Sequence, residues 1–269
     1  MAISATDVKN LRELTGAGMM ECKKALEEAE GDFDKAVELL RISGAAKAAK
    51  RGAERSTSNG LVANSGKAII SLLCETDFVA KNDDFQKLAA KIASAVDAEN
   101  ATDQASALNV SLGEKSVAEE IEALSAVIGE KLELGKVARF NGDVSVYLHK
   151  RSEDLPPQVG VLVEFAGNAD TARAIAMQIA AMRPLYVTAD QVPADVIESE
   201  KRIAEATAKE EGKPEAALPK IVEGRVQGFL KEVVLVMQPS VQDSKKSVQQ
   251  VLDEAGTSIS QFARLDSAQ

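Results

Sequence analysis

The 269-residue chain predicts an α+β fold. It reads as an N-terminal three-helix bundle followed by two related α+β subdomains with small antiparallel sheets, the second carrying an inserted antiparallel helical hairpin. Three observations carry this reading. Apolar residues recur at helical spacing through the first forty-odd positions. A strand pair followed by a helix then occurs twice along the chain. Aromatics are scarce, with seven Phe, two Tyr and no Trp. Ala, Leu, Val and Ile must therefore fill the core, which suits helices packed on small sheets.

The bundle is assigned to 1–45. Ser4 or Thr6 caps its first helix, Val8, Leu11 and Leu14 face inward, and Gly16 ends it. Gly16 and Gly18 bracket a turn into a second helix with Cys22, Ala25, Leu26 and Ala29 on its apolar side. Gly31 closes that helix, Asp32 caps the third, and Phe33, Ala36, Val37 and Leu40 supply the third buried face before Gly44. Residues 46–59 read as a linker, alanine- and lysine-rich first and then Ser56-Thr57-Ser58-Asn59.

The first subdomain is assigned to 60–135. A hairpin is expected from Leu61–Ala63, a turn at Asn64-Ser65-Gly66 and a strand over Lys67–Glu75. That strand is apolar on both faces (Ile69, Ile70, Leu72, Leu73), so both sides should be covered. Thr76-Asp77-Phe78-Val79 follows. A helix from about Asp83 carries the stripe Phe85, Leu88, Ala89, Ile92 and Val96. After a polar loop, Ser116 and Glu119 form the capping box of a helix through Val117, Ile121, Leu124, Ile128 and Leu132.

The second subdomain is assigned to 136–187 and 232–269. A strand ending at Phe140, an Asn141-Gly142 turn and a strand through Val144, Val146 and Leu148 read as another hairpin. Val159–Phe165 is a third strand, and Asp170 caps the next helix. Leu88–Ala93 aligns with Ile175–Ala180, with the preceding strands nearly in register, which points to a duplicated unit. Between 188 and 231, Pro193 begins a helix through Ile197, Ile203 and Ala206, and Gly212-Lys213-Pro214 breaks it. A second helix then runs through Leu218, Ile221, Val222, Val226 and Phe229. This pair has more apolar surface than one short helix covers, so it offers a surface for a second chain. Val248, Val251 and Leu252 mark a last helix and Ser258–Leu265 a last strand.

Composition narrows the function classes. Thirty-two basic residues face 42 acidic ones, for a net charge of −10. Such a surface repels phosphate backbones and disfavours a general nucleic-acid binder. The local basic stretch Lys47, Lys50, Arg51 and Arg55 reads as a solvated linker. Cys22 and Cys74 stand alone and read as buried thiols, and His149 is the one histidine. A Cys/His zinc site cannot be assembled from these. Neither a phosphate-cradling GxxxxGK[ST] loop nor a GxGxxG turn occurs. Catalysis is disfavoured and no cofactor is implied. No run of 18 apolar residues exists, and Asp7, Lys9, Arg12 and Glu13 break any signal-peptide pattern. A soluble cytoplasmic protein is the expectation.

Four separated segments share one resemblance. The run Lys9-Asn10-Leu11-Arg12-Glu13-Leu14-Thr15-Gly16-Ala17-Gly18-Met19-Met20-Glu21-Cys22-Lys23-Lys24-Ala25-Leu26 resembles the opening of the bacterial elongation factor Ts family. Thr76-Asp77-Phe78-Val79-Ala80-Lys81-Asn82 resembles the family's second motif. Ile128-Gly129-Glu130 and Gly212-Lys213-Pro214 fall at the corresponding places. The resemblance spans essentially the whole chain, in order.

It implies a guanine-nucleotide exchange factor for elongation factor Tu, acting without covalent chemistry. The N-terminal bundle would be of the ubiquitin-associated type and dock on the partner's GTPase domain. Thr76, Asp77, Phe78 and Val79 would form the wedge that reaches beside the nucleotide site and dislodges Mg²⁺. Arg12, Met19, Met20, Lys23, Gly129 and His149 would be partner contacts, and 188–231 a dimerisation-type hairpin. As a hot spot, Phe78 would supply roughly 2–4 kcal/mol. Taken alone, Phe78 reads as a core phenylalanine after a strand and Asp77 as a turn or cap residue; the resemblance assigns them otherwise. Gln178 stands where better-known members have a histidine, and Val241-Gln242 where some have Val-Met. An adaptor built from the bundle and a dimerising hairpin is the alternative reading. An enzyme using Cys74 beside His149 is weaker, because Cys74 lies within an apolar strand.

Overall fold

The computed structural model describes residues 3–15, 17–40, 42–43 and 55–267. Gly16, Gly44 and most of the expected linker, 46–54, lie outside the described residues. By contacts the chain divides into two units. The first comprises the chain up to Arg139 with Leu148–Val159 and the end from Leu265; the second comprises Phe140–Tyr147 and Gly160–Arg264.

The first unit opens with α1 (Ala5–Thr15), α2 (Met19–Glu28) and α3 (residues 33–40). The Ser4 hydroxyl caps α1 by accepting from the Asp7 N–H at 3.0 Å, and Asp32 accepts from the Lys35 N–H at the start of α3. Val8 and Leu11 pack with Cys22, Ala25, Leu26, Ala29 and Ala36 in a small core of their own. Leu14, expected inside, is 65% exposed. Residues spaced only by three drift about 60° per step around a helix, so Leu14 is carried about 120° from Val8.

A three-stranded sheet ordered β1-β2-β3 follows, built from β1 (Asn59–Ser65), β2 (Ala68–Cys74) and β3 (Glu133–Arg139). Both pairings are antiparallel. The hairpin turn is Gly66-Lys67, displaced toward the C-terminus from the expected Asn64-Ser65-Gly66. As expected for a strand apolar on both sides, β2 is buried nearly throughout, and it is the central strand. Between Ile70 and Leu72 its register with β3 shifts. Ser71 fills the break, accepting from the Lys136 N–H at 2.9 Å and donating to the Lys136 carbonyl at 3.3 Å. Gly135 permits this approach, since a Cβ there would lie 2.5 Å from the Ser71 hydroxyl oxygen.

Next come α4 (Asp77–Ala80), α5 (Asp83–Ala98), α6 (Gln104–Leu108) and α7 (Val117–Ile128). The α5 stripe of Phe85, Leu88, Ala89, Ile92 and Val96 packs on Ile70, Leu72, Leu134, Val117 and Ile121. The Ser116–Glu119 capping box forms as the sequence predicts. At five residues, α6 is too short to show a periodic stripe, and the sequence reading passes it over as loop.

The expected hairpin of the Phe140 strand with the Val144 strand does not form. β3 is spent on β2, whereas β4 (Asp143–His149) joins β5 (Val159–Ala166) and β6 (Ser258–Asp266) in a second sheet ordered β4-β5-β6. The Arg139 guanidinium at the end of β3 is held by Asp97 of α5. The Asn141 and Gly142 N–H groups donate to the Glu164 carboxylate at 3.2 and 2.6 Å, so a side chain takes the bonds a cross-strand ladder would have made. These bonds, with those from Ser260 and Gln261, hold the Glu164 carboxyl below its ordinary pKa; the Gly142 N–H is the largest cause.

In the second unit, β5 precedes α8 (Ala169–Met182), capped by Asn168 rather than the expected Asp170: the Asn168 side chain accepts from the Thr171 N–H at 3.0 Å. Val161, Val163, Ile175 and Ile179 form its core with Leu235 and with Val248 and Leu252 of α11 (Val248–Glu254). The helical pair is α9 (Ala194–Glu210) and α10 (Leu218–Val233). Ile203 and Ala206, expected inward, are exposed, while Ala204 and Ala208 are buried. At about 100° per residue, positions 204 and 208 lie within about 20° of Ile197, and 203 lies about 120° away.

Candidate functional site

The segment that follows the central strand is built to present two side chains outward. β2 stops at Cys74, and only Glu75 and Thr76 separate it from α4. Thr76 is extended (φ −121°, ψ 158°), and its hydroxyl caps the helix by accepting from the Val79 N–H at 3.4 Å. One turn of helix then divides its residues by face. Val79 and Ala80 are buried in the same core as Phe85 and Ile92. Phe78 points the other way and is 79% exposed. Asp77 is half-exposed and pairs with Lys81, one turn on, at 3.5 Å. Asn82 closes the unit, its side chain accepting from the Asp84 and Phe85 N–H groups and starting α5. A phenylalanine following a buried strand is ordinarily core; here its neighbours take the core positions.

The base of this turn is tied to the α7–β3 link. The Thr76 N–H and hydroxyl both donate to the Glu130 carboxylate, at 3.1 and 2.7 Å. In return, the Lys131 N–H donates to the Glu75 carboxylate at 2.6 Å, and Arg55 pairs with Glu75 at 3.1 Å. Gly129 makes the link possible: at φ +88° it ends α7 in the left-handed region and turns Glu130 toward Thr76. The sequence marks Gly129 as a partner contact only through the family resemblance and gives Glu130 no role of its own. An acid directly after a helix-ending glycine was the available sign. Cys74 lies beneath, with its thiol pushed up to about 12 by burial first and the Glu130 charge second. Buried and protonated, it is no nucleophile.

The other expected contacts divide between two places. Arg12 on the last turns of α1, and Met19, Met20 and Lys23 on the first turns of α2, flank the Ala17-Gly18 turn at one end of the bundle. All four are exposed, Met20 by 76% and Met19 by 48%, and Leu14 adds an apolar side chain at the same end. Lys23 also pairs with Glu27 at 3.8 Å. His149 is the last residue of β4 and is exposed; its carbonyl accepts from the Gln158 N–H. Gln178 is buried. Its amide nitrogen donates to the Gln238 side chain and the Pro239 carbonyl, each at 3.1 Å, and its oxygen accepts from the Val241 N–H at 2.7 Å. It braces the segment that leaves Val241 half-exposed. Among the described residues, no helix is long and apolar enough to cross a membrane.

Comparison with known proteins bears on the same segments. The sequence model of the family described as Elongation factor TS matches residues 75–269, starting one residue before Thr76. A protein named Elongation factor Ts from Nocardioides sp. is 61% identical over 264 residues, covering 98% of both chains. Proteins of the same name from Saccharopolyspora erythraea and Mycobacterium ulcerans are 60% and 59% identical over 267 residues, covering 99% of this chain and 98% of theirs. Those alignments run through the N-terminal helices as well as both sheets. On these grounds the chain belongs to the elongation factor Ts family, the translation elongation factors whose role is nucleotide exchange on elongation factor Tu.

Proposed function

We propose that this protein binds elongation factor Tu in its GDP form and releases GDP by pressing Thr76–Val79 against the nucleotide site. The observation that carries the reading is the exposure of Phe78 on a helical turn whose opposite side is sunk in the core. An apolar ring held in water by a rigid base is a surface prepared for a partner. Asp77 beside it brings a negative charge toward a site where Mg²⁺ and backbone groups neutralise a diphosphate. Disturbing that neutralisation removes much of what holds GDP. The exposed methionines of the bundle suit a second contact, because an unbranched thioether adapts to an apolar surface. Arg12, Lys23, Gly129 and His149 are assigned to the same interface by the family resemblance. The device needs no bond made or broken on this chain.

Linkage fixes the energetics. A factor that binds nucleotide-free partner better than nucleotide-bound partner weakens GDP by the same factor that GDP weakens it. Equal affinity for the two states would shift nothing. Co-elution with elongation factor Tu is therefore expected after nucleotide removal and is expected to fall away in excess GDP. Binding indifferent to nucleotide would overturn the exchange reading and favour an adaptor. The α9–α10 hairpin, 188–231 in the sequence division, is assigned to self-association on the strength of Ile203, 54% exposed on its outer side. Sedimentation of wild type against Ile203→Lys tests it: equal molecular weights would remove the assignment.

A further inference from the structure

We propose that Glu130 is a positioning residue for the wedge, acting with Glu75 as a reciprocal clasp that fixes the pose in which Phe78 leaves the surface. The inference rests on reading Thr76–Val79 as the wedge. Two short links meet at its base. One is Glu75-Thr76, between β2 and α4; the other is residues 129–132, between α7 and β3. Each link offers a carboxylate to the other's backbone. Glu130 receives the Thr76 N–H and hydroxyl, and Glu75 receives the Lys131 N–H. Each acid is also held by its own main chain. The Glu130 carbonyl accepts from the Ser125 hydroxyl at 2.6 Å, and the Glu75 carbonyl accepts from the Asn59 side chain at 2.9 Å and the Ser58 hydroxyl at 3.2 Å.

The geometry has a consequence for Phe78. Burial of Val79 and Ala80 fixes the back of the turn but leaves its entry to the two residues before it. The hydrogen bonds to Glu130 fix the orientation of Thr76, which as N-cap sets the direction of α4. Without them the entry residue must be ordered on docking, and ordering one residue costs about five- to thirtyfold in affinity. Hydrogen bonds to a charged group are the stronger kind, which makes a carboxylate suited to this place.

The test is GDP release from elongation factor Tu, read as plateau rate and half-saturating factor concentration, in a double-mutant cycle with Phe78. Glu130→Ala is expected to lose about tenfold in exchange. Glu130→Gln keeps an acceptor for the Thr76 N–H and an amide that can meet the Thr76 hydroxyl, and is expected to restore exchange to within about threefold of wild type. In a Phe78→Ala background the Glu130→Ala loss should vanish, since no ring remains to be placed. Hydrogen exchange at the Thr76 amide should quicken in Glu130→Ala and not in Phe78→Ala. If Glu130→Ala fails to fold, Thr76→Val removes the 2.7 Å bond to Glu130 together with the 3.4 Å cap on the Val79 N–H, and its loss should likewise vanish in the Phe78→Ala background. Wild-type exchange by Glu130→Ala, or an equal loss in both backgrounds, overturns the clasp while leaving the wedge standing. Wild-type exchange by Phe78→Ala overturns the wedge and the clasp with it.

Discussion

Replacing Phe78 by alanine removes a ring that is 79% exposed and therefore contributes little to its own fold. Full burial of a phenylalanine side chain is worth about 1.5–3 kcal/mol. The four-fifths still open to a partner correspond to about 1.2–2.4 kcal/mol on that scale. This is roughly eight- to sixtyfold in preference for the nucleotide-free partner. The hot-spot figure of roughly 2–4 kcal/mol is larger because truncation also strands the partner's groups. Stopped-flow release of fluorescent GDP from elongation factor Tu, over a range of factor concentrations, measures the effect. Urea unfolding of the variant should match wild type within about 0.5 kcal/mol, as for other exposed positions. Release within twofold of wild type by a folded variant would refute the reasoning. So would a large loss of stability, which would make the ring a structural element instead.

Other outcomes follow from the same geometry. Asp77→Asn keeps the shape of the turn and removes its charge; exchange should slow by up to about fivefold, the scale of an exposed charge interaction, with the thermal midpoint unchanged. Met20→Ala, at a residue 76% exposed, should raise the half-saturating factor concentration by about fivefold and leave the plateau rate alone, seen in the same release assay. Gln178→Ala strands the Val241 N–H and the Gln238 and Pro239 oxygens, and should cost about 2–3 kcal/mol in urea unfolding. The Cys74 thiol, raised from 9.0 to about 12, should resist iodoacetamide at pH 8 until the protein unfolds. Because the unfolded thiol loses its proton first, its contribution to stability is complete below pH 9 and is lost as pH climbs toward 12, which Cys74→Ala should abolish in a pH series of unfolding midpoints.

Residues that repeat were legible in the sequence, and residues that depend on distant partners were not. The α5 stripe from Phe85 to Val96 and the two-sided apolar run of β2 announce their burial locally. The Ser116 capping box is a four-residue pattern and formed as read. The local pattern pairs β4 with β3, because Asn141-Gly142 is a good hairpin turn. What redirects it is Glu164, more than twenty residues later, which takes both turn N–H groups. On α9 the large Ile203 draws the inward assignment, yet angle around the axis, not size, buries Ala204 and leaves Ile203 exposed. At the Thr76–Val79 turn, residue type and a place just after a strand put Phe78 inside when read alone. Its exposure follows from Val79 and Ala80 claiming the inward positions on a helix only one turn long. Glu130 acts across 54 residues of sequence, a separation no local pattern reveals.

A tool that deforms its target is pushed back with equal force, and the direction of that recoil matters here. The Thr76–Val79 segment is the immediate continuation of β2, the middle strand of its sheet, buried almost throughout and stitched to β3 across the Ser71 irregularity. On the function proposed above, strain returned through Phe78 would enter this buried middle strand instead of bending a loose surface segment.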